Sequence, residues 1–184
     1  MIDAKPTSFI SEHVVLDATQ NIILKVGDHS IVHPRVRIGT QPTSRSNDSE
    51  KPSLVEIGDY TIISDRCSIE VAQISPVVIG NYTYIDPGAR VEAGVTVGDF
   101  CILGAGCVIG RKSRIGNSCR IAAGAKIGTS TIIPPRSVVV GDAGEIQDAG
   151  EDMSDEQQKR EMKMHVDFLM RVMPLYNKPR QDRK

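Results

Sequence analysis

The strongest constraint on the fold is an aliphatic residue that recurs at every sixth position through the middle of the chain. The row runs without a slip from residue 79 to residue 139: Ile79, Ile85, Val91, Val97, Leu103, Ile109, Ile115, Ile121, Ile127, Ile133 and Val139. Neither an α-helix, with a period of 3.6, nor a β-strand, with a period of 2, requires this spacing. A chain that turns a corner every six residues does. The pattern therefore predicts a parallel β-helix built from triangular coils.

Glycine often follows the aliphatic residue of a hexad, as at Gly80, Gly98, Gly104, Gly110, Gly116 and Gly128. Because glycine adopts left-handed backbone conformations at low cost, we expect these glycines to form the corners. Three hexads complete one turn, so that each residue stacks on its counterpart in the next coil at about 4.8 Å.

The period extends toward the N-terminus with two interruptions. Between Ile69 and Ile79 the count slips by four residues. Residues 40–53 (TQPTSRSNDSEKPS) contain no large apolar residue and predict a loop that protrudes between coils. We therefore assign residues 1–141 to the β-helix.

Beyond Gly141 the hexads stop, and residues 142–153 read as a polar linker. Residues 154–184 are predicted to form an α-helix, over about 155–173, and a solvated basic tail. Pro174 is expected to halt the helix. One stripe of the helix should pack on the flank of the β-helix, and its residues follow helical spacing: Met162, Val166, Leu169 and Met173.

The end of this helix carries more large apolar side chains than one stripe can bury. We predict that the surplus residues contact another protein chain: Phe168, Met170, Val172, Leu175 and Tyr176.

Charge and hydropathy exclude several functional classes. Lys and Arg total 22 and Asp and Glu total 23, which gives a net charge of −1 and argues against a nucleic-acid-binding protein. The sequence contains no run of 18 apolar residues for membrane insertion, and its N-terminus does not resemble a signal peptide. We therefore expect a cytoplasmic protein.

Cysteines and histidines are the candidate chemical groups. Each cysteine occupies a small-residue position four places after a repeat aliphatic, which predicts buried structural thiols at Cys67, Cys101, Cys107 and Cys119. The four histidines, His13, His29, His33 and His165, lack the spacing of a convergent zinc site or of a recognisable general base. The sequence thus predicts no metal, no cofactor and no catalytic residue.

The hexads resemble the left-handed parallel β-helix proteins, which include hexapeptide acyltransferases and γ-class carbonic anhydrases. Four segments resemble the dynactin subunit 6 family more closely: residues 31–38 (IVHPRVRI), 101–110 (CILGAGCVIG), 133–138 (IPPRSV) and 167–176 (DFLMRVMPLY). The last segment is the most specific, because a hexad cannot generate a helix motif.

The dynactin resemblance implies a non-catalytic structural subunit of the dynactin pointed-end complex, in the cytoplasm and on the cytoskeleton. Its implied partners are a second β-helical subunit and an actin-related protein. Through them it would support cargo recruitment by dynein in microtubule-based transport. Two alternatives stay open: a γ-carbonic anhydrase-like or hexapeptide acyltransferase-type enzyme, which would bind zinc or an acyl-CoA, and a homotrimeric scaffold.

Overall fold

The computed structural model describes residues 1–17, 21–39, 52–72, 75–141, 145–148 and 155–180. It confirms the predicted fold class: a mainly β, parallel β-helix of about six turns with one C-terminal helix. Within these residues, no helix is long and apolar enough to cross a bilayer.

The coils build three sheets, one on each side of the triangular prism. Sheet 1 contains β1 (Ile2–Ala4), β4 (Ile22–Val26), β7 (Ser53–Ile57), β10 (Val77–Ile79), β13 (Thr96–Val97), β16 (Arg114–Ile115) and β19 (Ile132–Ile133). Sheet 2 contains β2 (Phe9–Ile10), β5 (Ile31–Val32), β8 (Ile62–Ile63), β11 (Tyr84–Ile85), β14 (Ile102–Leu103), β17 (Arg120–Ile121), β20 (Ser137–Val140) and β21 (Glu145–Asp148). Sheet 3 contains β3 (Val15–Leu16), β6 (Arg37–Gly39), β9 (Ser68–Glu70), β12 (Arg90–Val91), β15 (Val108–Ile109) and β18 (Lys126–Ile127).

The strand register reproduces the predicted period and its interruptions. In the regular part, residue 78 pairs with residue 96, which is one coil of 18 residues. Residue 62 pairs with residue 84, a coil of 22 residues, which confirms the slip of four. Residue 31 pairs with residue 62, so this coil contains a longer insertion. Residues 40–51 of the predicted loop lie outside the described residues, and Ser53, assigned to that loop, is buried at the start of β7.

The repeat aliphatics line the interior of the prism. All eleven residues of the row from residue 79 to residue 139 are buried, and Leu103 and Ile109 have no exposed surface. This arrangement confirms that the six-residue period places one apolar side chain per prism side into a shared core.

The four cysteines are buried free thiols, as the repeat position predicted. Burial raises the pKa of Cys67 to about 11 and that of Cys107 to about 12. Since the thiolate is the reactive form, these two groups are inert at neutral pH.

The glycines that follow the repeat aliphatics have a different role from the predicted one. Their φ angles are not positive; the left-handed residue lies two positions later, as at Phe100 (φ 58°) after Gly98. A Cβ atom on Gly98 would lie 2.8 Å from the backbone nitrogen of Asn117 in the next coil. Glycine is therefore required here because neighbouring coils approach closely, and not because of backbone conformation.

The C-terminal helix, α1 (Asp155–Tyr176), is three residues longer than predicted. Pro174 lies inside its last turn and does not halt it, because a proline there removes only one backbone hydrogen bond. Leu175 and Tyr176 therefore belong to the helix, which was predicted to halt at Pro174.

One stripe of α1 packs on the outward side of sheet 2, as predicted. Val166 and Met173 are buried against a cluster formed by Phe9, Ile31 and Ile62. Met162 and Leu169 are partly buried against the same cluster, and so is Met170.

Aromatic rings stacked along one corner of the β-helix contact the N-terminal half of α1. His29, Tyr60, Tyr82 and Phe100 stack in successive coils with centroids 4.8 to 5.2 Å apart. Lys159 Nζ lies 5.7 Å from the Phe100 ring centroid, and Lys163 Nζ lies 5.3 Å from that of Tyr60. Cation–π contacts thus tie the polar half of the helix to the coils.

Both ends of sheet 2 are covered by segments for which the sequence predicted no strand pairing, the polar linker and the basic tail. Strand β21 lies within the predicted linker and pairs antiparallel with β20. At the other end, the backbone nitrogen of Glu12 donates to the Lys178 oxygen (3.0 Å), and that of Arg180 donates to the Ile10 oxygen (2.7 Å). The backbone of residues 178–180 therefore pairs with the first coil, while the side chains of Lys178 and Pro179 are exposed to solvent.

Candidate functional site

A groove of about 440 Å³ opens where the first three coils turn from sheet 2 toward sheet 3. The turns after β2, β5 and β8 supply most of its lining, and the end of the C-terminal helix closes one side. Its lining residues are His13, His33, Pro34, Arg35, Asp65 and Asn177.

His33 is the candidate reactive group of this groove. It directly follows β5, and its backbone nitrogen donates to the Ile63 oxygen (2.9 Å), which fixes the residue to the next coil. Burial lowers the pKa of His33; the Asp65 charge acts in the opposite direction, and His165 lowers it further. The imidazole is therefore neutral at neutral pH, which a proton acceptor requires.

The His33 ring has an unused nitrogen. Its Nε2 atom is buried without a hydrogen-bond partner. Such an unsatisfied polar atom costs about 1–3 kcal/mol. Rotation of the ring by 180° about the Cβ–Cγ bond exchanges the positions of Nε2 and Cε1.

An ion pair fixes the carboxylate beside His33. Arg35 donates from Nε to Asp65 Oδ1 (2.9 Å) and from Nη2 to Asp65 Oδ2 (2.6 Å). Arg66 Nε lies 3.6 Å from the same Oδ2 atom. Because both of its oxygens accept hydrogen bonds, Asp65 is held in one orientation. Its negative charge favours the protonated form of His33 over the neutral form.

The histidines converge more than their spacing suggested. His13 and His33 line one groove, and His165 on α1 is close enough to affect the His33 pKa. His29 lies elsewhere, in a second groove of about 380 Å³ with Thr7, Asp167, Met170 and Arg171. Asp65, and the pairing of His13 with the turn that contains His33, were not among the predicted site features. The 22-residue spacing between Phe9 and Ile31, which pair in adjacent coils, was the signal that could have placed His13 beside the turn that contains His33.

A metal centre does not emerge from this convergence. In the part of the chain that the structure describes, no three His, Cys, Asp or Glu side chains are grouped so that they could hold a metal ion.

The groove continues along its corner as a surface that carries only glycine and small side chains. The left-handed position of this corner holds Arg35 and Arg66 in the early coils but Gly88, Gly106 and Gly124 in the later ones. A Cβ atom on Gly106 or Gly124 would meet nothing within 4 Å. Neither conformation nor internal packing therefore excludes side chains from this corner.

The predicted partner-binding residues divide into two groups. Phe168, Leu175 and Tyr176 are 61%, 77% and 80% exposed. Met170 and Val172 are half-buried, and Met170 packs toward the β-helix. Partner binding at these positions stays a prediction.

Residues 76–111 match the family described as bacterial transferase hexapeptide (six repeats). No curated protein matches this chain significantly in sequence.

Solved structures share the fold along most of the chain at low identity. A hexapeptide transferase family protein from Anaplasma phagocytophilum aligns with a TM-score of 0.61 and 14% identity, over 95% of this chain and 96% of its own. AntD, an N-acyltransferase from Bacillus cereus, aligns with a TM-score of 0.64 and 13% identity, over 93% and 90%. A UDP-N-acetylglucosamine acyltransferase aligns with a TM-score of 0.53 and 19% identity, over 97% and 84%.

These findings contradict the prediction of a non-catalytic dynactin subunit. The solved structures compared above are transferases, and nothing in the repeat match identifies the dynactin subunit 6 family. The resemblance of residues 167–176 covers ten residues, and no sequence match to a curated protein supports it. The chain has a parallel β-helix fold, and its residues 76–111 match a hexapeptide-repeat family.

Proposed function

We propose that this chain is an acyltransferase that uses His33 as general base. The observation that carries the proposal is the neutral, partly buried His33 imidazole, which lines an open groove beside a fixed carboxylate. An acyl thioester is the proposed donor, and a hydroxyl or amine compound is the proposed acceptor. The similarity to transferases of this fold supports the same reaction class.

The groove residues have separate roles in this reaction. His33 accepts the proton of the acceptor hydroxyl or amine while the acceptor oxygen or nitrogen bonds to the thioester carbonyl carbon. The tetrahedral intermediate then collapses, the carbon–sulfur bond breaks, and His33 returns the proton to the leaving sulfur. Asp65 stabilises the imidazolium formed between these two steps, and the Arg35 contact holds Asp65 in place.

The corner with only glycine and small side chains is the proposed path for the donor. Pro87, Ala105 and Ala123 continue this corner beyond Asp65, beside the three left-handed glycines. Three coil spacings give a track about 14 Å long. An extended thioester arm lying on this track would place its acyl end near His33.

Acetyl-CoA is the probe for the first test. We expect isothermal titration calorimetry to detect its binding, and we expect release of the free thiol with a panel of amino sugars and alcohols. His33→Asn should retain binding and reduce thiol release about 10²–10⁴-fold, the usual contribution of a general base. Absence of both binding and turnover at millimolar acetyl-CoA would overturn the proposal.

A matched pair of variants tests the donor track. Gly106→Arg places a long side chain on the track at a φ that Arg66 already adopts at the equivalent position. Ser118→Arg places the same side chain at another corner, where Arg136 occupies the equivalent position one coil later. We expect only Gly106→Arg to abolish acetyl-CoA binding, with both variants folded by circular dichroism. Equal binding by the two variants would remove the track from the proposal.

A further inference from the structure

The side of α1 that faces away from the β-helix carries a regular row of exposed residues. The row has alternating spacings of three and four, as in one seam of a coiled coil: Glu161, Met164, Phe168, Arg171 and Leu175. Met164, Phe168 and Leu175 are 68%, 61% and 77% exposed. Val166 and Met173, on the opposite side, are buried against sheet 2. The helix therefore has two apolar sides, and the coils cover only one of them.

We propose that this outward row binds the same row of a second copy of the chain, with the two helices antiparallel. A two-fold axis beside residue 166 places each residue opposite the one equally far on the other side of 166. Met164 of each copy then meets Phe168 of the other, and Glu161 of each copy meets Arg171 of the other. The contact is self-complementary, as a two-fold interface requires.

The charges in the row select the second copy and the direction of pairing. Glu161 and Arg171 are exposed, and neither forms a salt bridge within the described residues. Antiparallel helices pair these opposite charges at both ends of the apolar contact. Parallel helices in register would place Glu161 against Glu161 and Arg171 against Arg171, which is repulsive. Antiparallel helix dipoles add a favourable term.

The arrangement of α1 on the β-helix permits this contact. Arg171 lies at the edge of the row and also borders the second groove, whereas Met164, Phe168 and Leu175 lie on the side opposite to the packed residues. The two β-helices would therefore lie on opposite sides of the helix pair. Two apolar side chains from each copy, Met164 and Phe168, form the centre of a small interface, with Leu175 beyond the charge pairs, so the contact is at the low end of specific interfaces. The expected dimer is therefore weak and depends on protein concentration.

Charge reversal tests the pairing directly. Sedimentation equilibrium of the full chain over a concentration series should show a monomer–dimer equilibrium. Glu161→Arg alone and Arg171→Glu alone should each weaken dimerisation at least tenfold, because each creates two like-charge pairs. The double variant Glu161→Arg/Arg171→Glu should restore it. Arg90→Glu, a reversal at an exposed position on sheet 3, is the control and should leave dimerisation unchanged.

Disulfide cross-linking tests the direction. Because the natural cysteines are buried, a Met164→Cys chain mixed with a Phe168→Cys chain should form the mixed disulfide faster than either forms with itself. The proposal would be overturned if the chain stayed monomeric at all concentrations, or if the single charge reversals did not weaken the dimer. It would also be overturned if the double variant did not recover dimerisation, or if like-with-like cross-linking were faster. A trimer whose stability these variants do not change would also overturn the proposal, because the chains would then assemble through the coils.

Discussion

At the scale of single residues, each corner of this β-helix has two requirements: space between neighbouring coils and a left-handed backbone two positions later. The sequence pattern does not distinguish them. Most glycines after the repeat aliphatics, though not Gly128, provide space between coils. The left-handed positions accept arginine, lysine, serine or aromatic residues. Tyr60, Tyr82 and Phe100 adopt φ between 52° and 58° and use the exposed corner to stack. The cost of the left-handed backbone is thus offset, at this corner, by aromatic contacts between coils.

Alanine at two glycines should separate these requirements. Gly98→Ala brings its Cβ to 2.8 Å from a backbone nitrogen that cannot move without shifting a coil, and should destabilise the protein by about 2 kcal/mol or more. Gly106→Ala meets no atom and should cost about 1 kcal/mol for its left-handed φ. Urea denaturation measures both changes. A larger loss for Gly106→Ala would show that conformation, not space, sets the glycine requirement.

The lowered pKa of His33 makes stability depend on pH. The unfolded chain has an ordinary histidine pKa of about 6.5 and binds a proton before the folded chain does. The free energy of unfolding should therefore decrease as the pH falls below about 6.5, until the folded chain is protonated too. His33→Asn should have a smaller decrease between pH 7.5 and pH 5, measured by urea denaturation. The same decrease in both proteins would contradict a lowered pKa.

At the scale of secondary-structure elements, α1 acts as a cover for one side of the prism. The outward residues Phe9, Ile31 and Ile62 of sheet 2 are apolar, unlike Arg37 and Arg90 at the corresponding positions of sheet 3. Without the helix, sheet 2 would expose a contiguous apolar surface. The docked helix also places His165 near His33 and Asn177 in the groove wall, so its position affects the candidate site.

Substitution of a docked helix residue should therefore destabilise more than substitution of a solvated one. Val166→Ser leaves a cavity and a poorly partnered hydroxyl, and should cost about 2 kcal/mol. Tyr176→Ser, at a position 80% exposed, should change stability by less than about 0.5 kcal/mol. Thermal unfolding at low protein concentration measures the difference. If the two variants were equally stable, the packing of α1 on sheet 2 would be wrong.

At the scale of the whole molecule, stability is distributed along one axis. Each coil contacts the coil before it and the coil after it, so a central coil has twice the support of a terminal one. The two ends of sheet 2 are protected by β21 and by residues 178–180. Strands β18 and β19 end sheets 3 and 1 without a further strand in the described residues.

Hydrogen exchange should report this distribution. Amides of β8, β11 and β14 lie between paired strands, and β8 is also covered by α1, so we expect their exchange to be slowest. Amides of β18 and β19 should exchange faster by at least tenfold, because terminal coils open without disrupting the rest. Uniform protection throughout the chain would indicate a single cooperative unit instead.

The sequence by itself determined the coil architecture, because a six-residue period is a local property that each hexad repeats. The row from Ile79 to Val139 predicted both the core and the register, and the slip before Ile79 predicted where that register changes. The inward stripe of α1 was predictable for the same reason, since helical spacing places Met162, Val166, Leu169 and Met173 on one side.

Only the tertiary structure decided the site, because its residues belong to different coils. His13, His33 and Asp65 meet through coils lengthened by insertions, and His165 joins them only because α1 folds back along sheet 2. The fold shared with solved transferase structures was likewise recognised only by aligning most of the chain, whereas the resemblance to a dynactin subunit was confined to short segments. Residues near one another in sequence fixed each coil; contacts between distant residues decided what the coils bring together.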